Sequence, residues 1–503
     1  MSGDGTRARL TDPVHAGIGR LTDLLGGAAR RHVIVLFAGV LALDSADKAT
    51  VGAAATQLRG ALGIGNSELG LLAAVTSVVG ALATVPIGML VDRVNRTRLL
   101  AAAIALWGVA MVASAAVTSF AHLLLARVFL GVVTATAGPS IASMTGDFFP
   151  SDERSRVYGY ILTGELVGAG FGFVVAGNLA ALSWRGAFAV LALPAAALAW
   201  LVHRLPEPAH GGRSRLWPGT EEVPDAEPAD RPGEPAATGG PARPSWAQRA
   251  VLASGVEPDP RLVLREDPRR MSLWAAVRYV LRVRTNVVLI VASACGYFFF
   301  AGVRAFGMEF VKGQYHLGQS TASSLTLVLG VGGVAGVLVG GRLGDRLQRR
   351  GRFDGRVLVA VVAVLATTAL FLPALLTRTA LVALPLLVAA AFALAAQNPP
   401  MDAARLDIVP PDLWGRAEAV RSLLRTAAEA LAPLLFGVVA EHVFGGGRAG
   451  LQDAFLVMLV PLAGGGLALL RALRTYPQDV ASAAASIARA AGEPARAGRR
   501  DGS

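Results

Sequence analysis

Cysteine is almost absent from this 503-residue chain: Cys295 is the single one, and it sits inside an apolar segment. An intrachain disulfide and a cysteine metal cluster are therefore excluded. Charge is also scarce. Only 16% of the residues are Asp, Glu, Lys or Arg, where a soluble protein carries about a quarter, and the mean hydropathy is +0.52. There is no Gly-x-x-x-x-Gly-Lys loop for a nucleotide. His122, His316 and His442 lie near the ends of apolar segments and form no pattern with a nucleophile or with metal ligands. Neither enzymatic chemistry nor a cofactor is expected. A secretory signal is not expected either, because about thirty mostly polar residues precede a first apolar segment too long for a signal core.

What is present is a series of long apolar segments separated by short arginine-rich breaks. About twelve are read, at 32–56, 69–91, 99–118, 122–149, 158–180 and 184–203, then 286–312, 321–344, 357–376, 380–401, 416–442 and 452–473. Each matches the roughly 20 residues a helix needs to cross a bilayer. They do not alternate as barrel strands do, and only helices or closed barrels satisfy their backbone groups in lipid. The expected fold class is all-α, a polytopic bundle.

The net charge is +12. The arginines sit in the breaks and terminal tails, as the positive-inside rule accounts for, and no nucleic-acid partner is expected. Arg93, Arg96 and Arg98 follow the second segment, Arg154 and Arg156 the fourth, and Arg346, Arg349, Arg350, Arg352 and Arg356 the eighth, whereas the breaks after the first, third and ninth hold little. That distribution places both termini in the cytoplasm and the protein in the cell (inner) membrane. Residues 1–31 form an N-terminal segment, 32–203 and 286–473 two six-helix bundles, and 474–503 a tail to which no role is assigned. The stretch 204–285 between the bundles is rich in Pro, Gly, Glu and Arg and reads as a mostly disordered cytoplasmic linker. It ends, from Met271 to Arg284, in an amphipathic helix on the membrane surface.

The halves repeat each other. Gly88-Met-Leu-Val-Asp92-Arg93 returns as Gly341-Arg-Leu-Gly-Asp345-Arg346, 253 residues on. Asp147, Pro150, Asp152 and Arg156 return as Asp407, Pro410, Asp412 and Arg416, all 260 residues on. The Gly-x-x-x-Asp-Arg signature after the second and eighth segments, the first copy continuing to Arg96 and Arg98, resembles the loop motif of the major facilitator superfamily. The resemblance covers Arg31 to Arg474. It implies two pseudo-symmetric bundles around a central cavity that opens alternately to each side. It also implies a cytoplasmic latch, in which Asp92 caps the eleventh segment near Arg416 and Asp345 caps the fifth near Arg154 and Arg156.

Charges inside the segments cost about 2.5–3.5 kcal/mol each on insertion scales and are functional candidates. Asp44 and Lys48 share a helical face, with Asp47 beside it. A carboxylate in a partly dry cavity near a cation can serve as a proton switch. Arg127 is a fixed cation that resembles the buried arginine of the superfamily's fourth segment, linked there to proton coupling. Glu165 lies at the position equivalent to Arg425, and Arg421, Arg425 and Glu429 form one polar stripe. Arg304, Glu309 and Lys312 lie in the seventh segment, and Asp402 and Arg405 follow the helix break Asn398-Pro399-Pro400.

A closer resemblance is to the spinster-like branch. It rests on Asp47-Lys48-Ala49-Thr50, on Leu62-Gly-Ile64 through Ser67-Glu68 with Gly70-Leu71-Leu72, on Asp147 with Glu153-Arg154-Ser155-Arg156, and on Glu429 with Pro433. Thr134 stands where that branch carries a glutamate, and Glu165 is the candidate substitute. The resemblance implies a proton-coupled carrier of lysophospholipids or related amphiphiles, working as a monomer among membrane lipids. Two alternatives stand beside it. A proton–drug antiporter is suggested by the glycine-rich fifth segment, although it lacks the Gly-Pro pair of antiporters. An organic-anion or sugar uptake carrier is suggested by Arg127 and Arg425.

Overall fold

The computed structural model describes residues 28–64, 66–208, 248, 251, 255–264, 266–315 and 319–490, so most of the linker and the ends of both tails lie outside the described residues. Among the described residues there is no strand. The first half comprises α1 (Ala28–Ala53), α2 (Ala55–Leu62), α3 (Asn66–Val91), α4 (Arg96–Ala116), α5 (Phe120–Thr134) continued by α6 (Ala137–Phe148), α7 (Arg154–Phe171), α8 (Gly177–Leu182) and α9 (Trp184–His203). A surface helix, α10 (Leu273–Arg282), leads into the second half. That half comprises α11 (Arg284–Tyr315), α12 (Gln319–Arg349), α13 (Gly355–Leu376), α14 (Ala380–Ala396) continued by α15 (Asn398–Ile408), α16 (Trp414–Val438) and α17 (Gly447–Ala490).

Local sequence sets the helix ends. Asn95, Ser119, Ser183 and Ser272 each accept a hydrogen bond from a first-turn amide, of Arg98, His122, Gly186 and Ala275, which satisfies donors the helix itself leaves unpaired. Pro399 and Pro400 occupy the first turn of α15, where a missing amide costs nothing. Among the described residues ten helical stretches are long and apolar enough to cross a membrane. The other two elements of the bundle fall short of that standard for visible reasons. One is α1, which carries Asp44, Asp47 and Lys48. The other is α7–α8, which carries Arg154, Arg156 and Glu165 and is split by a π-helical turn at Gly172–Ala176. Of the about twelve segments read from hydropathy, ten thus meet that standard.

These two charged helices are held by close backbone contact. A Cβ on Gly164, Gly168 or Gly172 would lie 2.0, 2.1 or 2.6 Å from the carbonyl oxygens of Ala38, Ala42 and Ala46. Only glycine allows α7 to seat on α1 this tightly. The first half packs around Phe37, Trp107, Phe148 and Phe149. The core of the second half includes Phe299, Phe371, Phe436 and Phe455, with ring centroids 5.0–6.3 Å apart. Large apolar side chains such as Leu82, Leu125, Leu193, Val362 and Val460 are exposed on the outside, as a lipid-facing surface requires.

The halves touch most closely at the arginine-rich end. A Cβ on Gly88 would meet the Gly415 carbonyl at 2.9 Å, and one on Gly341 would meet the Ser155 carbonyl at 2.3 Å. The last helix does not stop at residue 473. At about 1.5 Å per residue, its 44 residues outrun a hydrocarbon core of about 30 Å. Its extension is amphipathic, burying Tyr476, Val480, Ala483, Ala484 and Ile487. It docks through Asp479 on the Thr285 amide, Ser482 on the Asp259 amide and Ser486 on the Leu264 amide.

Candidate functional site

Two mirrored ion clusters close the arginine-rich end. Asp92 accepts hydrogen bonds from the amides of Gly415 (3.0 Å) and Arg416 (3.3 Å), so it caps the first turn of α16, and Arg416 Nε lies 3.0 Å from its carboxylate. Asp345 accepts from the amides of Ser155 (3.1 Å) and Arg156 (2.7 Å) and caps α7. Beneath each cap an arginine binds an aspartate, Arg96 with Asp147 and Arg356 with Asp407. All four lie at positions 260 residues apart and all are buried. The copies are not identical. Asp345 takes its ion pair from Arg356 at 2.9 Å, whereas Arg156 turns to Glu153.

The equivalent of Arg154 in the second half is Trp414. Arg154 donates to the carbonyls of Gly146 and Phe149. Trp414 Nε1 donates to those of Leu406 and Val409, the equivalent positions. The two side chains stack on each other at 5.0 Å across the seam between the halves.

Towards the membrane centre the charges separate into two groups. Asp47 and Arg127 form a buried pair inside the first half, Nη1 to Oδ1 at 2.9 Å and to Oδ2 at 3.2 Å, with the guanidinium 4.6 Å over the Phe188 ring. Lys48 turns instead to Asp44 at 2.6 Å and is half-exposed, in the second half of α1. Across the seam Arg425 lies 3.5 Å from Glu429 and stacks on Tyr297 at 4.5 Å. Glu165 is half-buried and within electrostatic range of Arg425, Lys48, Glu429 and Asp44. Asp44, Lys48 and Glu165 from one half thus face Arg425 and Glu429 from the other, around a polar space that Asp47 and Arg127 do not enter.

A third cluster lies between this space and the seal, and sequence reading missed its central member. Glu418 binds Arg405 at 2.6 Å, Arg421 at 2.6 Å and Ser422 at 3.0 Å. Arg405 also binds Asp402 at 2.7 Å. All four charged residues are buried. Their equivalents in the first half are Ala142, Thr145, Tyr158 and Ile161, none of them charged. The Tyr158 hydroxyl is buried within range of the cluster and has no hydrogen-bond partner among the described residues.

The remaining candidates lie at the periphery. Arg93 reaches the Met271 carbonyl at 3.4 Å, and the carbonyl of half-buried Asp152 accepts from Arg349 at 3.2 Å. Arg346, Arg304 and Lys312 are exposed, and Asp412 is half-buried within range of Arg416. Thr134 bonds the Gly131 carbonyl within its own helix. The side chains of Glu309, Asn66, Ser67 and Gly70 lie outside the described residues.

Asp92 follows the last residue of its membrane-crossing stretch. Burial pushes its carboxyl up to about 7, against the opposing pull of Arg416, the two capping amides and Arg96. Arg93 and Asp412 also lie near Arg416. In the unfolded chain an aspartate titrates near its ordinary value of about 3.9. Between these values the folded state holds more of this group's proton, so the contribution of Asp92 to stability is fully present below about pH 4 and is lost as pH rises through about 7. The expected result is a melting temperature in detergent that falls between pH 5 and pH 8, and falls less in Asp92→Asn. Equal slopes for both proteins would remove Asp92 from the titration.

Comparison with known proteins places this geometry. The sequence pattern of the Major Facilitator Superfamily matches residues 36–395. The chain is 26% identical over 157 residues to a probable L-galactonate transporter of Escherichia coli (strain K12), covering 31% of this chain and 34% of that protein. It is 29% identical over 221 residues to protein spinster homolog 1 of Rattus norvegicus, covering 42% and 41%. The chain thus spans well under half the length of either relative. The crystal structure of a bacterial homologue of the human lysosomal transporter spinster, inward-facing and unoccupied, superposes with a TM-score of 0.50 at 18% identity, over 90% of this chain and 97% of that one. The protein described here is a multi-pass membrane protein that belongs to the Major Facilitator Superfamily.

Proposed function

We propose that this protein is a proton-coupled secondary carrier of the cytoplasmic membrane, with both termini in the cytoplasm. It moves an amphiphilic, lipid-like solute by alternating access and works as a monomer. The observation that carries the reading is the pairing of a sealed arginine-rich end with charged, partly exposed side chains at the membrane centre. Lys48 is half-exposed and Arg425 and Glu429 are about a fifth to a quarter exposed, while Asp92 and Asp345 are buried in the seal. Charges at that depth are retained where they line a polar path. In this reading Arg425 on Tyr297 and Lys48 receive an anionic headgroup, and Glu165 and Asp44 exchange protons as the halves rock. Asp47 and Arg127 hold the first half together beside the site, and Asp92 and Asp345 release α16 and α7 when the cytoplasmic end opens.

The test is transport of a lysophospholipid into proteoliposomes, with and without an imposed pH gradient, for the wild type and Glu165→Gln. Gradient-driven transport that the variant loses, at unchanged folding, is expected. Equal gradient dependence in both would take the proton from Glu165. A second reading, an organic-anion carrier, is favoured by the galactonate-type relative and by the fixed cation Arg425. Accumulation of a sugar acid without lysophospholipid transport would select it.

A further inference from the structure

Helix α10 buries Ala276, Tyr279 and Val280 against the bundle and turns its other face outward. That face carries Trp274, 76% exposed, and Leu281, 43% exposed, with the exposed arginines Arg278 and Arg282. Together with Val277 they line a shallow groove of about 440 Å³. Arg278 and Arg282 make no ion pair or hydrogen bond with the described residues. Arg282 is two residues before Arg284, the first residue of a membrane-crossing helix, so α10 lies at the level of the lipid headgroups. A tryptophan at that level beside two guanidinium groups that have no ion-pair partner among the described residues suits one occupant. The ring sits at the boundary between acyl chain and headgroup, and the guanidinium groups match phosphate oxygens in charge and geometry.

The chain just before α10 touches the seal. Arg416, already bound to Asp92, donates through Nη1 to the Pro268 carbonyl at 3.0 Å. Arg93 donates to the Met271 carbonyl at 3.4 Å. Anything that fixes α10 also fixes the two carbonyls that these latch arginines use.

We propose that the outer groove of α10 binds the phosphate headgroup of an anionic bilayer phospholipid, and that this binding keeps the 268–271 turn on Arg416 and Arg93 and so favours the sealed arrangement. The groove faces away from the central polar space, so the proposal stands apart from whatever solute the protein carries.

Tryptophan quenching by brominated lipid tests it, using the full chain in nanodiscs of phosphatidylglycerol or phosphatidylcholine. The expected result is a quenching component that is stronger for brominated phosphatidylglycerol and disappears in Trp274→Phe. Surface arginines contribute about a five-fold preference each, so Arg278→Ser/Arg282→Ser should lower the anionic preference by roughly twenty-five-fold, and Arg278→Lys/Arg282→Lys should retain most of it. Equal quenching by the two lipids overturns the site. Loss of the preference in millimolar inorganic phosphate overturns the lipid as its occupant. The effect on the seal is read from maleimide labelling of Ser155→Cys in a Cys295→Ser background, because Ser155 is buried in the seam. Labelling several-fold faster in the double serine variant is expected, and an unchanged rate overturns the link to the latch.

Discussion

Replacing Arg127 with methionine is expected to destabilise the protein by about 3–5 kcal/mol, the usual cost of leaving one member of a buried ion pair without its partner. Among the described residues Asp47 has no other side-chain hydrogen-bond partner once Nη1 is gone. It sits at 1% exposure, so water cannot replace the lost contact. The melting temperature in detergent should drop by roughly 3–5 °C. Arg127→Met/Asp47→Leu removes both charges and should recover most of that loss, because well-packed apolar residues can replace a buried pair at little cost. The double variant also separates two roles. If the pair only holds α1 to α5, the stable double variant transports with its gradient dependence intact. If the pair carries the proton, the double variant folds and is uncoupled. A single variant as stable as the wild type would show that the pair is not buried as described.

Much of the seal was legible in the sequence because its parts repeat by identity at fixed offsets. Asp92 and Asp345, and Asp147 and Asp407, stand in equivalent loops, and the structure puts each pair in equivalent hydrogen bonds. What identity could not reveal is equivalence of task between unlike residues. Arg154 and Trp414 share no chemistry on paper, yet both donate to the carbonyls that precede them by eight and five positions. Charge near the end of an apolar segment is also ambiguous. Glu418 lies two residues past the start of the segment at 416, where a carboxylate reads as an interfacial group, and only the fold turns it inward. The same holds for Asp47, which sequence grouped with Asp44 and Lys48. One hundred degrees of helical rotation separates a residue lining the polar space from one buried behind it. The helix beyond residue 473 had a readable signal, the stripe of Tyr476, Val480, Ala484 and Ile487 at helical spacing. Its alanines made that stripe weakly apolar, and nothing in the sequence states that the linker covers it.

The second large effect is expected at Glu418. Its two oxygens take hydrogen bonds from Arg405, Arg421 and Ser422, and with Asp402 they balance two buried guanidinium groups. Glu418→Gln leaves Asp402 alone against both arginines, an uncompensated buried cation of the kind that costs about 3–5 kcal/mol. The relief nearest to hand is hydration. The cluster belongs to the second half, but the first half covers it: Gly138 lies close enough that an added Cβ would be 3.9 Å from the Glu418 carboxylate, and the Tyr158 hydroxyl faces it. Water reaches the excess charge most cheaply by parting the halves along this seam. The variant should therefore label faster at Ser155→Cys in the Cys295→Ser background, as well as melt earlier. Glu418→Gln/Arg405→Gln removes one charge of each sign and should slow labelling towards the wild-type rate. Earlier melting with unchanged labelling would show that the cluster stabilises the second half alone. Neither change would mean that Asp402 by itself balances both arginines.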